Sequence, residues 1–251
     1  MATTTTAHRI GTRAQWQAAR AALLEREKEH TRMGDQLARE RRSLPWVPVE
    51  KPYTLQTADG PQTLAQLFAG RSQLLIYHFM FGPSYESGCP VNSSMADSFD
   101  SVVPHLAARD VTLIAVSGAP IEKLLAYRDR MGWRFEWASS YESDFNRDVG
   151  FSSSLEQTRS AIEPILDQLP PVAHRNAVVA GTDIYGYLTE LFGFTAFSRH
   201  DGFIYQAYST TGRGVEFLMP YYGILDRAPK GRDEDEAWQL WIRRHDEYDS
   251  E

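Results

Sequence analysis

Two apolar runs limit the folds open to this chain more than any other feature. Residues 74–81 read LLIYHFMF and residues 111–116 read VTLIAV. Neither alternates with polar residues, so each is expected to be a strand buried on both faces, as in a parallel sheet covered by helices. Between them, Met95, Phe99, Val102, Val103 and Leu106 fall at helical spacing over 90–108, with Pro90 in the first turn. Residues 120–131 read as a second helix ending at Gly132, and WRFEWA (133–138) as a third strand. This β-α-β-α-β order with short loops implies right-handed crossovers and a parallel sheet. Further on, Thr195–Arg199, a His200-Asp201-Gly202 turn and Phe203–Tyr208 form an antiparallel hairpin.

Around this core the pattern is less regular. Residues 13–42 are rich in Ala, Leu, Glu, Arg and Gln and predict a long helix, with Trp16, Ala19, Leu23 and Leu37 on one face. Gly34 is a place for that helix to bend or break, and Pro45 and Pro48 close it. Tyr53–Leu64 read as a short hairpin turning at Asp59-Gly60-Pro61. Residues 145–190 have no firm reading beyond two weak helical stretches. Residues 215–225 carry apolar residues at helical spacing. Residues 233–248 open on acidic residues suited to a helix N-terminus and read as a C-terminal helix. Residues 1–12 read as disordered. The expectation is one domain over 13–251: a helical extension (13–45), a core (53–225) and the C-terminal helix (233–248).

Composition narrows the function. The chain has 251 residues, 42% hydrophobic and 24% charged, with a formal net charge of −7. That balance suits a globular protein acting on small molecules and argues against a nucleic-acid partner. The start lacks the apolar core of a signal peptide, and no apolar run is long enough for a bilayer. A cytoplasmic location without membrane attachment is expected, and a homo-oligomer stays open. Absence of GxGxxG, Walker, HExxH and Gly-x-Ser-x-Gly patterns argues against the corresponding enzyme classes.

There is one cysteine, Cys89. No disulfide can form within one chain, and a structural zinc site needing two cysteines is excluded. Cys89 follows the first buried strand and opens the next helix. Sites in such sheets lie beyond the carboxyl ends of strands, and free N–H groups at a helix start stabilise a thiolate. A parallel sheet continued by an antiparallel hairpin and helix is the thioredoxin-like plan. The bland alternative is an inert, half-buried cysteine. The segment runs Cys89-Pro90-Val91-Asn92, so Asn92, Ser93 and Ser94 offer only hydrogen bonds.

The chain resembles the thioredoxin-like domain-of-unknown-function family 899, described as predicted dithiol-disulfide oxidoreductases of bacterial type. The resemblance spans nearly the whole chain. It rests on LARERRSLPWVPVEK (37–51), YHFMFGPSYESGCP (77–90), Ala96-Asp97, VPHLAARDVTLIAVS (103–117), YRDRMGW (127–133), SSYESDFNRD (139–148), YSTTGRG (208–214) and LDRAPKGRDE (225–234). It implies an α/β, thioredoxin-like fold with a long N-terminal helix, an insertion before the C-terminal hairpin and C-terminal helical additions. It also implies Cys89 as the first cysteine of a Cys-x-x-Cys pair, whose second position here is Asn92. Where thioredoxins place a cis-proline, this chain has Phe194-Thr195.

The resulting expectation is an oxidoreductase running a single-cysteine cycle on a thiol, peroxide or small-molecule substrate, with Cys89 as the reacting group. Tyr85 and Arg213 are the proposed neighbours that stabilise anions, Arg213 because it lies between two glycines. The cofactor is undetermined, and none is required by this reading. A second reading is a copper- or iron-dependent oxidase with His78, Met80, Cys89 and His105 as ligands, a soft donor set. Each of these alone is as well explained as core or surface. Glu86 is a proton acceptor or a solvated charge, and Asp97, Asp144 and Asn146 are oxygen ligands or caps. A third reading is a non-catalytic binding protein on the same fold.

Overall fold

The computed structural model describes residues 9–234 and 238–248. Most of the stretch expected to be disordered, 1–8, lies outside the described residues. The chain divides into two compact units, one up to Pro45 and one from Trp46, where the sequence suggested a single domain with an extension. The first unit is helix α1 (Arg13–Arg42). Thr12 and Gln15 close a capping box at its start, and Gly34 does not break it. None of its residues is buried.

The second unit runs β1 (Val47–Pro48), β2 (Thr54–Thr57), β3 (Gly60–Thr63), α2 (Leu64–Leu67), β4 (Gln73–His78), α3 (Pro90–Ala96), α4 (Phe99–Ala107), β5 (Val111–Ser117), α5 (Ile121–Arg130) and β6 (Glu136–Ser139). It continues with α6 (Phe145–Asp148), α7 (Leu155–Ile162), α8 (Pro171–Val179), α9 (Ile184–Tyr187), β7 (Gly193–His200), β8 (Phe203–Thr211) and α10 (Pro220–Leu225). One eight-stranded sheet has the order β1-β8-β7-β4-β5-β6-β2-β3. The pairs β4–β5 and β5–β6 are parallel, and β4–β7 and β7–β8 antiparallel. The β5-β4-β7-β8 arrangement, with helical crossovers between the parallel strands, is thioredoxin-like.

Both faces of the central strands are covered. Tyr77, Leu113, Ala115 and Trp137 join one apolar cluster, and Leu74, Ile76, Ile114, Val116 and Ala138 the other. This is why the runs at 74–81 and 111–116 do not alternate: each residue meets a core whichever way it points. The expected helix over 90–108 is two helices, interrupted at Asp97–Ser98. Over 233–248 the expected helix is not found among the described residues. Turns and a short 3-10 turn at His245–Glu247 take its place, and 235–237 lie outside. Glu234 there accepts hydrogen bonds from the Tyr222 hydroxyl and the Trp241 indole, tertiary bonds that replace the helical ones.

Candidate active site at Cys89

Cys89 is the residue from which α3 springs, with Pro90 at the first helical position. Proline suits that place because its missing N–H would have no helical partner. The backbone N–H of Cys89 is tied to the Met80 carbonyl at 3.2 Å, which folds the loop after β4 back onto the strand end. Behind it, the buried Arg244 guanidinium grips the Gly88 carbonyl from Nη2 at 2.8 Å and Nε at 3.1 Å. The thiol itself is 1% exposed.

Three side chains donate toward Sγ: the Tyr187 hydroxyl at 3.0 Å, Asn92 Nδ2 at 3.5 Å and Asn176 Nδ2 at 4.0 Å. Each is held in turn. Asn92 Oδ1 accepts the Met80 N–H at 2.8 Å, and Asn176 Oδ1 accepts Arg175 Nη1 at 2.8 Å. Those bonds leave the amide nitrogens to face the sulfur. Burial pushes the thiol up from its ordinary range. The Tyr187 hydroxyl, the N–H groups of Asn92 and Val91 and the charge of Arg244 act in the opposite direction without cancelling it. The resting group is a protonated thiol surrounded by donors ready for negative charge.

Cys89 borders a cavity of about 170 Å³. Its walls are apolar, from Met80, Val91, Met95, Val172, Leu188 and Phe192. α8 forms one side, so the stretch over 145–190 that the sequence left without a reading supplies a wall, as well as Asn176 and Tyr187.

The residues singled out in the sequence are distributed unevenly around this site. Tyr85 is buried but touches Tyr187 rather than the sulfur. Its ring stacks on Tyr187 at 5.4 Å between centroids, and its hydroxyl donates to the Tyr187 carbonyl. Arg213 borders the cavity, yet its guanidinium is engaged with Glu216 at 2.8 Å and its side chain is 75% exposed. Asn92 contacts the sulfur directly. Tyr187, Asn176 and Arg244 were missed. Only the Pro170-Pro171 helix start gave any signal of the element carrying Asn176.

The metal set does not assemble. Met80 and Cys89 share the cavity, but His78 lies on the other sheet face, by alternation from Tyr77. Both its ring nitrogens are used, Nδ1 with Asn146 at 3.2 Å and Nε2 with Thr195 at 3.0 Å, and its ring stacks on Phe151 at 3.8 Å. Burial holds His78 down to about 3, so it is neutral. His105 is exposed on α4. Among the described residues no group of three or more His, Cys, Asp or Glu is placed to hold a metal ion. The four do not fit a copper or iron centre. Asp97 instead accepts from the Trp133 indole and sits 2.6 Å from His245, and Asp144 pairs with Lys51 and Arg147.

Fold and site together define a thioredoxin-like protein with a lone buried cysteine at the start of the helix after the first core strand. The chain belongs to the family described as "Bacterial protein of unknown function (DUF899)", whose model matches residues 5–248. No curated protein matches it. It is similar to a solved structure of a PrxQ mutant from Xylella fastidiosa, at 10% identity and TM-score 0.42, covering 70% of this chain and 89% of that one. Peroxidoxin BcpB from Mycobacterium tuberculosis is similar at 10% identity and TM-score 0.41, covering 70% and 92%. A reduced 2-Cys peroxiredoxin from Plasmodium vivax is similar at 13% identity and TM-score 0.40, covering 72% and 92%. No helix among the described residues is long and apolar enough to cross a membrane.

Proposed function

We infer that this chain is a single-cysteine oxidoreductase that reduces small organic hydroperoxides at Cys89. The observation that carries this reading is the pairing of a thiol ringed by hydrogen-bond donors with a small apolar cavity that Cys89 lines. A sulfur that is 1% exposed is out of reach of a protein disulfide, whereas a compact hydroperoxide with an apolar tail matches the walls. With one cysteine in the sequence, dithiol exchange within one chain is excluded.

In the first step the sulfur attacks the terminal peroxide oxygen. An S–O bond forms and the O–O bond breaks. The cysteine is oxidised by two electrons to a sulfenic acid, the peroxide is reduced, and the thiol proton ends on the departing alkoxide to give the alcohol. Tyr187, Asn92 and Asn176 stabilise the negative charge that appears on sulfur as its proton leaves. In the second step a small thiol condenses with the sulfenic acid, releasing water and leaving a mixed disulfide. A second thiol molecule then restores Cys89 and departs as its own disulfide. The partners are thus a small oxidant and a small thiol, with neither nucleic acid nor membrane, and a cytoplasmic thiol pool suits the reductive half.

The test is steady-state turnover of cumene hydroperoxide with dithiothreitol as reductant. Turnover is expected from the native protein and none above background from Cys89→Ser. Equal rates from both proteins would overturn the reading.

A further inference from the structure

A second cleft of about 410 Å³ lies beyond the carboxyl ends of β5 and β6. It is lined by hydroxyls, among them Ser140, Ser143, Ser152, Ser153, Thr182 and Thr189. At its floor is Glu190, 4% exposed. Among the described residues, no cation pairs with this carboxyl. It accepts from Ser152 Oγ at 2.8 Å, and the nearby Gly118 N–H and Asn146 side chain favour its charged form without offsetting burial. Asn146 is oriented by His78, which is oriented by Thr195, which reaches Ser209 at 3.3 Å. Ser152 holds the carboxyl directly, and a hydrogen-bonded run of four side chains, Asn146, His78, Thr195 and Ser209, lies behind it. Gly118 leaves room for this carboxyl, since a Cβ there would lie 2.6 Å from Glu190 Oε1.

A buried carboxyl without a cation is costly to a fold, and a purely structural core would fill the space with apolar side chains. Ligands of open α/β sheets bind beyond the carboxyl ends of strands. The charges at the rim are already satisfied: Arg147 pairs with Asp144, and Asp183 caps α9 by accepting the Gly186 N–H at 2.6 Å. Burial also raises Glu190 to about 8, which leaves the cleft without a free charge at neutral pH.

We propose that this cleft is a second binding site, for a neutral, hydroxyl-rich small molecule of about monosaccharide size, with the Glu190 carboxyl as its deepest anchor. The site is separate from Cys89, and its test does not depend on the hydroperoxide reading. The two share one wall. Along 186–192, Gly186, Thr189 and Glu190 face this cleft, while Tyr187, Leu188, Leu191 and Phe192 face the thiol cavity.

Saturation-transfer NMR on the full chain tests this, with methyl α-glucoside and myo-inositol as neutral probes and glucuronate and glucosamine as charged ones. Transfer is expected to at least one neutral probe and to be stronger than to either charged probe. Glu190→Gln, which disturbs the donors aimed at the carboxyl, and Ser153→Trp, which blocks the exposed rim, are each expected to weaken it at least tenfold. Should Glu190→Gln fail to fold, Ser153→Trp decides alone. No transfer to either neutral probe at millimolar concentration, a preference for a charged probe, or unchanged transfer in a folded variant would overturn the proposal.

Discussion

Of the groups around Cys89, Tyr187 makes the shortest contact with the sulfur. Its hydroxyl, 3.0 Å from Sγ, is the foremost influence opposing the effect of burial. A hydrogen bond to a charged group contributes about 1.5–3 kcal/mol, so Tyr187→Phe is expected to slow hydroperoxide turnover by roughly ten- to a hundredfold. It should also move the pH midpoint of Cys89 alkylation further up. A Tyr187→Phe protein with an unshifted alkylation profile would assign the tyrosine a packing role only. The place of Cys89 at a helix start was legible in the sequence because a strand, a loop and Gly-Cys-Pro flag it. Tyr187 was not, because its contact with Cys89 spans 98 positions and depends on how a short helix packs. Arg213 looked functional between its glycines, yet Glu216 is the partner it meets. Arg244 drew no reading from the sequence and lies 2% exposed behind the Cys89 loop.

Among the elements, the central strands were readable because burial on both faces writes an unbroken apolar run. The β4–β6 core and the β7–β8 hairpin follow that expectation, with ends shifted by a few residues. The 145–190 stretch resisted because α6 and α9 are only four residues each and α7 and α8 eight and nine, too short for periodicity to emerge. Local caps were present: Ser154 and Gln157 form a capping box, and Asp183 caps α9. They mark where helices begin but not what those helices cover. α8 covers the thiol cavity, with Ala173 half-buried in its wall. Ala173→Phe is expected to raise KM for cumene hydroperoxide several-fold while leaving kcat and the KM for hydrogen peroxide nearly unchanged. Equal effects on both substrates would mean that bulky oxidants approach Cys89 by another route. At the other end, the acidic start at 233–234 suggested a helix, but Glu234 is drawn to Tyr222 and Trp241, and specific tertiary bonds outweigh a weak propensity.

For the whole molecule, two buried groups shape the dependence of stability on pH. His78 is lowered from 6.5 to about 3 by burial. Its contribution is present above pH 6.5 and is lost as pH falls toward 3. Glu190 is raised from 4.5 to about 8, again by burial. Its contribution is present below pH 4.5 and is lost as pH rises toward 8. Each changes stability by about 1.4 kcal/mol per pH unit inside its window. The two slopes oppose one another between 4.5 and 6.5, so these groups together give a plateau there and a decline on either side. Chemical denaturation across pH 3–8 is expected to show this shape, and Glu190→Gln is expected to remove the decline above 6.5. A decline of the same slope in that variant would place the responsible group elsewhere.

The most direct test of the role given to Cys89 is mass spectrometry of the intact protein after one equivalent of cumene hydroperoxide in the presence of dimedone, which captures sulfenic acids. Near-complete labelling mapped to Cys89 within a single turnover, much faster than labelling by the same protein unfolded in denaturant, is the expected result. A folded protein whose Cys89 stays unlabelled, or labels no faster than the unfolded chain, would contradict it and leave Cys89 as an inert part of the core.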